Sequence, residues 1–421
     1  MGSKRRLLVI GASPMRHAAF VTWRSMGLDV VLVDGHSPER YEELAHEFHA
    51  LDARDGRADL VALEHIARTC DGITTVADDS QLTVARVAET VHRPGVGCTQ
   101  AAIARSKPRQ RAACAAAGMR VPRWREITTP DDLRAFYEEM DGPAVLKPVD
   151  GGGGAGAMRV SGLDEALSHW PVARALSTSR TAVAEEFLHG REVCVDAVVW
   201  DHQVRFLSVV DCEHMQTFGF LCTAASYASV QPDHERATQL VEEIIDAIDL
   251  SLGIIHAEFK IEGSTWTTVE FGLRPGGAFV PELTVKVAGV DLYEAQARLA
   301  LGDEPLGPPV AVTAPFAQAR YLVGEGVVRR FVPPATILER FNDVRVVNQQ
   351  IGAGQRARVP VSEAGRAGYA YGWGDDRERL DSQLRGAIAL LGHEMGVVVH
   401  GNDVPDDDRT AASLATTGGA T

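Results

Sequence analysis

Positive charge is scarce in this chain: 42 Lys and Arg stand against 57 Asp and Glu, a formal net charge of −15. That balance argues against an extended nucleic-acid face or an acidic-membrane surface, and leaves room only for a local basic site. Long apolar runs are missing too. No segment approaches transmembrane length, and the apolar run in MGSKRRLLVIGAS is too short for a signal peptide. Arg6 breaks the myristoylation pattern. The cysteines Cys70, Cys98, Cys114, Cys194, Cys212 and Cys222 form no CxxC pair, so reduced, mostly buried thiols in a cytoplasmic protein are expected. What remains is an ordinary globular composition: 421 residues, 45% hydrophobic and 24% charged, enough for two or three domains.

Glycine, by contrast, is concentrated. In KPVDGGGGAGAMRV, Lys147 to Val160, five glycines occupy the six positions 151 to 156. Glycine loses the most conformational freedom on folding, so such a run is a slack loop or a place where backbone must approach something closely. The flanks Ala144-Val145-Leu146 and Met158 to Val160 read as strands. Strand, glycine loop and strand make a flap whose N–H groups can wrap an anion. No Gly-Lys-Ser/Thr follows and no helix opens there, which excludes a Walker loop and makes a Rossmann fingerprint a poor match. A phosphate flap and a mobile surface loop both remain open at this point.

Residues 5 to about 95 alternate strand and helix: RRLLVIG, a helix Met15 to Met26, DVVLVD, a helix Asp59 to Thr69, GITTV, a helix Leu82 to Glu89. Alternation of this kind predicts a parallel α/β layer. Gly11-Ala12-Ser13-Pro14 falls at the end of the first strand, where open sheets bind ligands, but its single glycine argues against a dinucleotide. After HRPGVGCTQ come helices Thr99 to Ala104 and Pro108 to Ala117, the strand WREI and a helix Pro130 to Glu139. From Ala182 the chain is strand-rich, with AVAEEFL, EVCVDAVVW and VRFLSVV, the last two joined at Asp201-His202. CEHMQTFGFLCTAASYASVQP, with Phe218, Phe220 and Tyr227, reads as a substrate-side loop. An amphipathic helix then runs from about Asp233 to Leu250, with Leu240, Val241, Ile244, Ile245 and Ile248 on one face. After GDEPLGPP a mixed module with one helix, Leu380 to Leu391, runs to about 402, and the polar tail to Thr421 is expected to be disordered.

The hairpin IIHAEFKIEGSTWTTVEFGLR carries the strongest signal. One face of HAEFKI holds His256, Glu258 and Lys260, and the other Ala257, Phe259 and Ile261. In TVEFGLR, Thr268, Glu270, Gly272 and Arg274 alternate with Val269, Phe271 and Leu273. A three-residue turn Gly263-Ser264-Thr265 sets Glu258 opposite Glu270 and Lys260 opposite Thr268. Like charges directly opposed destabilise by roughly 0.2–1 kcal/mol. A divalent cation reverses that sign, and magnesium suits one or two carboxylates completed by phosphate oxygens. The alternative is a solvated polar face without function.

Taken together and in order, these motifs resemble the ATP-grasp superfamily over nearly the whole chain, and HAEFK…VEFGLRPGG most resembles its carboxylate–amine ligase branch with the L-amino-acid (dipeptide) ligases. The resemblance implies an α/β (α+β ATP-grasp) fold: an N-terminal Rossmann-like parallel-sheet domain (1–95), an ATP-grasp domain (96–305) with the glycine flap in a subdomain of about 120–188, a small C-terminal α+β module (306–402) and a tail (403–421). It assigns Lys107 and Lys147 to the phosphates of ATP, with Gly152, Gly153, Gly154 and Gly156 in the flap over them. Glu185, Glu186, Phe187 and Leu188 belong to the adenine hinge, and Glu192 to the ribose. Glu258 and Glu270 hold Mg2+, for which Mn2+ can substitute, and Arg274 steadies the transferring phosphoryl group. The family's Asn two residues after the second acid is Gly272 here, so water or substrate oxygen is expected at that cation position.

The implied reaction is ligation of a carboxylate, activated as an acyl phosphate, to an amine, with amino acids as the expected small-molecule partners. No nucleic acid or membrane is expected as partner, and a homodimer is expected by analogy. His256 and His214 are candidates for the amine's general base. Two rival readings stand: activation of another small acid in carboxylation or formyl-type chemistry, and a degenerate ATP-binding module, for which Gly272 is the best argument.

Overall fold

The structure is a computed structural model that describes residues 4–12, 16–35, 44–215, 220–359, 362 and 365–400. Ser13, Pro14, Met15, Phe218 and the tail from residue 403, all of which entered the sequence reading, lie outside these residues.

The N-terminal alternation is observed. Strands β1 (Arg6–Ile10), β2 (Asp29–Asp34), β3 (Glu47–Ala50) and β4 (Gly72–Thr74) form a parallel sheet in the order β3-β2-β1-β4. Helices α1 (His17–Ser25), α2 (Leu60–Ala67) and α3 (Gln81–Thr90) accompany it. The inner strands β1 and β2 read as apolar runs because both of their faces are covered. Leu7, Val9, Val30 and Leu32 pack on one side, and Leu8, Ile10, Val31 and Val33 on the other. Helices α4 (Cys98–Ala104) and α5 (Lys107–Ala116) lead to the flap subdomain. There β5 (Trp124–Ile127), β6 (Ala144–Pro148), β7 (Met158–Val160) and β8 (Ala182–Glu186) form a sheet in the order β5-β8-β6-β7, with α6 (Pro130–Glu139) and α7 (Leu163–Leu176). The glycine run joins β6 to β7, which pair antiparallel.

The remaining large sheet has eight strands in the order β13-β12-β9-β10-β11-β14-β18-β16. It is built from β9 (Arg191–Trp200), β10 (Gln203–His214), β11 (Cys222–Ala228), β12 (Leu252–Glu262), β13 (Thr265–Gly272), β14 (Phe316–Leu322), β16 (Val344–Gln349) and β18 (Gly368–Gly374). Helix α8 (His234–Ile248) buries Leu240, Val241, Ile244, Ile245 and Ile248 against Val193, Val195, Ile255 and Phe259 on one face. Helices α9 (Val280–Ala288) and α10 (Leu292–Ala300) follow β13; α10 sends Tyr293, Ala297 and Ala300 into the core of the N-terminal sheet. The C-terminal module adds α11 (Pro334–Leu338), α12 (Arg377–Met395) and a small sheet β17-β15-β19, from β15 (Gly324–Val327), β17 (Arg356–Ala357) and β19 (Val398–Val399). It has its own core around Leu380, Leu384, Ile388 and Leu391. Yet β14, β16 and β18 continue the large sheet, so hydrogen bonding runs unbroken past residue 306.

Two expectations need correction. The expected substrate-side loop includes two strand segments: β10 extends to His214 and CTAASYA is β11, inside the sheet, with Tyr227 buried in its core, while Cys212, His214, Phe220 and Cys222 line the cleft described below. The hairpin turn has two residues, Gly263-Ser264, because Glu262 pairs with Thr265. Lys260 therefore faces Thr267, not Thr268. A bulge between Glu258 and Phe259 in the pairing then skips Val269 and restores Glu258 opposite Glu270. The bulge also places Val269 at the cleft rather than on the core face.

The opposite face of β12 is anchored by Phe259, fully buried with its ring 5.7 Å from that of Trp266. Phe259→Ala is expected to cost about 3–5 kcal/mol, read as a lower urea midpoint at unchanged slope. A loss below about 1 kcal/mol would show that this ring does not anchor the hairpin.

Candidate functional site

A cleft of about 750 Å³ lies between the N-terminal sheet, the flap and the large sheet. Lys107, Lys147, Gly152, Gly153, Gly154, Glu185, Glu186, Phe187, Leu188, Glu192, Glu258, Glu270 and Arg274 all line it. Gly156 does not: it sits at the flap's base at φ +72°, where a Cβ would come 2.8 Å from Leu176 and 3.1 Å from Pro148. Its carbonyl oxygen lies 2.9 Å from the His169 ring. Backbone conformation and packing both require glycine there.

The acidic pair stands on the edge strand β13 and its neighbour β12. An edge strand leaves N–H and C=O groups unpaired, and here side chains from elsewhere take them. Gln110 of α5 exchanges two hydrogen bonds with the Phe271 backbone, at 2.9 and 3.0 Å. Gln81 of α3 accepts from Leu273 N–H at 2.8 Å, and Arg111 donates to the Val269 carbonyl. This stapling fixes Glu270. Burial pushes the Glu258 carboxyl up, and the facing charges of Glu270 and Glu192 add to the effect. Burial acts in the same sense on Glu270, but Lys107, Lys147 and Arg111 outweigh it and hold its carboxyl below the usual range. The pair is thus charge-asymmetric, with one acid already matched by cations and the other short of them.

Lys107, at the start of α5, donates to the Gly151 carbonyl at 2.6 Å and lies 3.4 Å from Glu270. Burial and the neighbouring Lys147 and Arg105 lower its pKa. Lys147 reaches Glu185 at 2.8 Å, and Glu185 meets Arg111 at 2.7 Å. Arg111 is fully buried and Glu185 only 4% exposed. The Glu185 side chain, expected at the adenine, therefore serves as the counter-ion that fixes Lys147. Glu192 is engaged by Lys260 at 3.0 Å and faces His214 at 3.5 Å. Glu186 pairs with Arg123 at 2.9 Å. The Phe187 N–H goes to the Pro143 carbonyl at 3.1 Å, while its ring stacks under Arg159 and lies 6.3 Å from Phe220.

Arg274 makes a two-pronged ion pair with Asp78, at 2.6 and 2.5 Å. Burial opposes ionisation of Asp78, but Arg274 with Arg105 and Arg16 drives its pKa far below the carboxylate range. Asp78 follows β4 at the carboxyl end of the parallel sheet, and that position in ADDS was the signal available in the sequence. Arg111 and Gln110 were missed as well, although Arg111 lies one helical turn beyond Lys107. Of the base candidates, His256 is bound to Asp196 at 2.5 Å. Burial works against its charge, but Asp196 and Glu258 raise its pKa to about 9, so it is cationic at neutrality and a poor base.

Residues 112–278 match the family model for the ATP-grasp domain. The chain is 24% identical over 335 residues to the formate-dependent phosphoribosylglycinamide formyltransferase of Burkholderia thailandensis, covering 75% of this chain and 79% of that protein. It is also 24% identical over 285 residues to the protein y4rH of Sinorhizobium fredii, covering 66% of this chain and spanning 58% of that relative's length. Among solved structures, the L-amino acid ligase from Bacillus licheniformis superposes with a TM-score of 0.75 at 19% identity, covering 95% of this chain and all (100%) of that one. The fold is that of the ATP-grasp proteins, which use ATP with Mg2+.

The buried Arg111–Glu185–Lys147 chain makes a stability prediction. Arg111→Met leaves Glu185 with Lys147 alone and is expected to cost about 3–5 kcal/mol near neutrality. The folded-state pKa of Glu185 is lowered, by Arg111 and Lys147 against burial. Its contribution is therefore present above the ordinary glutamate range and lost as pH falls through the lowered value. Urea midpoints of wild type and variant should converge in acid; a gap that is constant with pH would contradict the ion-pair account.

Proposed function

We propose, from the ATP-grasp domain and the cleft it lines, that the chain is an ATP-dependent carboxylate–amine ligase acting in the cytoplasm. The observation that carries this reading is the convergence of two lysines, a glycine flap, an opposed carboxylate pair and an arginine in one cleft. ATP lies with its phosphates between the flap and Lys107 and Lys147, its adenine beside Phe187 and Leu188, and its ribose at Glu192. The donor set fits magnesium: Glu258 and Glu270 are directly opposed oxygen ligands, and burial makes Glu258 favour a cation or a proton. Bound there, Mg2+ supplies charge neutralisation for the phosphates and orients them.

A substrate carboxylate attacks the γ-phosphate in line, the bond from the γ-phosphorus to the bridging oxygen breaks, and ADP leaves as the acyl phosphate forms. Lys107 and Lys147 stabilise the charge spread over the phosphoryl oxygens, and the flap excludes water. Arg274, its planar guanidinium oriented by Asp78, offers the N–H groups not engaged by Asp78 and the Pro275 carbonyl to the same oxygens. The acyl phosphate then meets an amine, and amide and phosphate leave. The protein's share is positioning and electrostatics. Amino acids are the substrates we favour, in line with the likeness to an L-amino acid ligase. The similarity to a formate-dependent formyltransferase supports a second reading, in which the same cleft activates formate.

The test is phosphate release from Mg-ATP against pairs of amino acids and amines, and against formate with amines, with mass spectrometry on the products. A ligase gives a product equal to the pair minus water, only when both are present. No magnesium-dependent release with any acid would sink the reading and favour a binding module. Arg274→Lys should lower kcat by about 10²-fold or more at retained ATP affinity, because a point charge cannot replace the planar fork. Unchanged kcat would remove Arg274 from the reaction.

A further inference from the structure

Beside the carboxylate pair, strand register gathers a second set of donors around Glu258. Gly272 pairs directly with His256 across β13 and β12, and Glu258 pairs directly with Cys194 across β12 and β9. His256, Glu258 and Cys194 thus share the cleft-facing side of two neighbouring strands, and all three line the cleft. One ligand atom from each lies within 4.8 Å of the other two.

His256 is oriented for such a role. Its Nδ1 faces Asp196 Oδ1 at 2.5 Å, and its Nε2 faces Glu258 Oε1 at 3.5 Å. Asp196 is fully buried, and its other oxygen accepts from Gly276 N–H at 2.8 Å. A Cβ at Gly276 would come 2.6 Å from His256 Nδ1 and 2.7 Å from Asp196 Oδ1, so glycine there lets the pair dock. Metal-binding histidines almost always place their second ring nitrogen against a carboxylate or carbonyl in this way. The donor set is nitrogen, oxygen and sulfur. That mixture suits borderline transition ions, whereas magnesium takes oxygen.

We propose that His256 Nε2, Glu258 and Cys194 Sγ form a transition-metal site for Zn2+ or Co2+, sharing Glu258 with the magnesium position, the incoming ion displacing to solvent the protons on Nε2 and Sγ. The proposal rests on reading Glu258 as a cation ligand of the nucleotide cleft. A transition ion there competes with magnesium for Glu258, so the site gives the cleft sensitivity to the ratio of the two metals. Asp196 is a positioning residue that aims Nε2 and touches no metal itself.

The experiment titrates Co2+ into the full-length, chelator-treated chain and follows near-ultraviolet absorption. The expected result is a thiolate-to-cobalt charge-transfer band that disappears in Cys194→Ser and persists in Cys98→Ser, a thiol outside the site. Asp196→Asn should keep the band but weaken Co2+ binding by about 10–100-fold. His256→Gln should remove the nitrogen donor and weaken binding at least as much, with circular dichroism confirming the fold of each variant. Absence of the band at saturating Co2+, or its survival in Cys194→Ser, would overturn the site. Binding of a fluorescent ATP analogue with Mg2+ in the same preparation separates the two claims. Normal nucleotide binding without the band defeats this proposal alone, and failure of both defeats the nucleotide reading with it.

Discussion

Two carboxylates directly opposed on adjacent strands are the constraint around which the rest of the cleft is arranged. Glu258 and Glu270 repel each other, and a low-polarity setting strengthens that repulsion. The chain meets it unevenly. Lys107, Lys147 and Arg111 lower the Glu270 carboxyl, whereas Glu258 has His256 as its cationic neighbour and is raised by burial. A site arranged like this keeps one acid ionised and leaves the other a strong taker of positive charge.

The basic groups follow a matching logic. Each is held by a protein acceptor: Lys107 by the Gly151 carbonyl, Lys147 by Glu185, Arg274 by Asp78. These partners hold the side chains at the cleft in defined positions, so less rotamer entropy is left to lose when an anion arrives. Lys107 bonding the flap's own backbone links the lysine to the glycine run, and a Cβ at Gly152 would come 3.1 Å from Asp78. Flap, lysine and arginine are therefore mechanically adjacent, although they come from separate parts of the chain.

Much of this was legible in the sequence because it is local. Alternation in HAEFKI and TVEFGLR placed the acids on one face, and the glycine run with strand flanks marked the flap. The Glu258–Glu270 pairing was right through two offsetting deviations, a shorter turn and a bulge at Val269. What stayed hidden is non-local or compositionally masked. The Arg274–Asp78 pair spans 196 residues, and no spacing rule announces it. Apart from Tyr227, β11 is made of Cys, Thr, Ala and Ser and reads as loop, yet it is held in the sheet by β10 and β14 on either side. Helix α7 begins without a side-chain cap and contains Pro171, so its local signals argue against the helix that tertiary packing supplies. The likeness of the two lysines to phosphate ligands was carried by the family resemblance, while their protein partners, Gly151 and Glu185, emerged only from the fold.

The most direct test of the account is a crystal structure of the chain with Mg2+ and a non-hydrolysable ATP analogue. The account predicts the terminal phosphates beneath Gly152 to Gly154, within hydrogen-bond reach of Lys107 and Lys147, and a cation bridging them to Glu258 and Glu270. Nucleotide bound with its phosphates away from the flap, or a cation that contacts neither carboxylate, would contradict it.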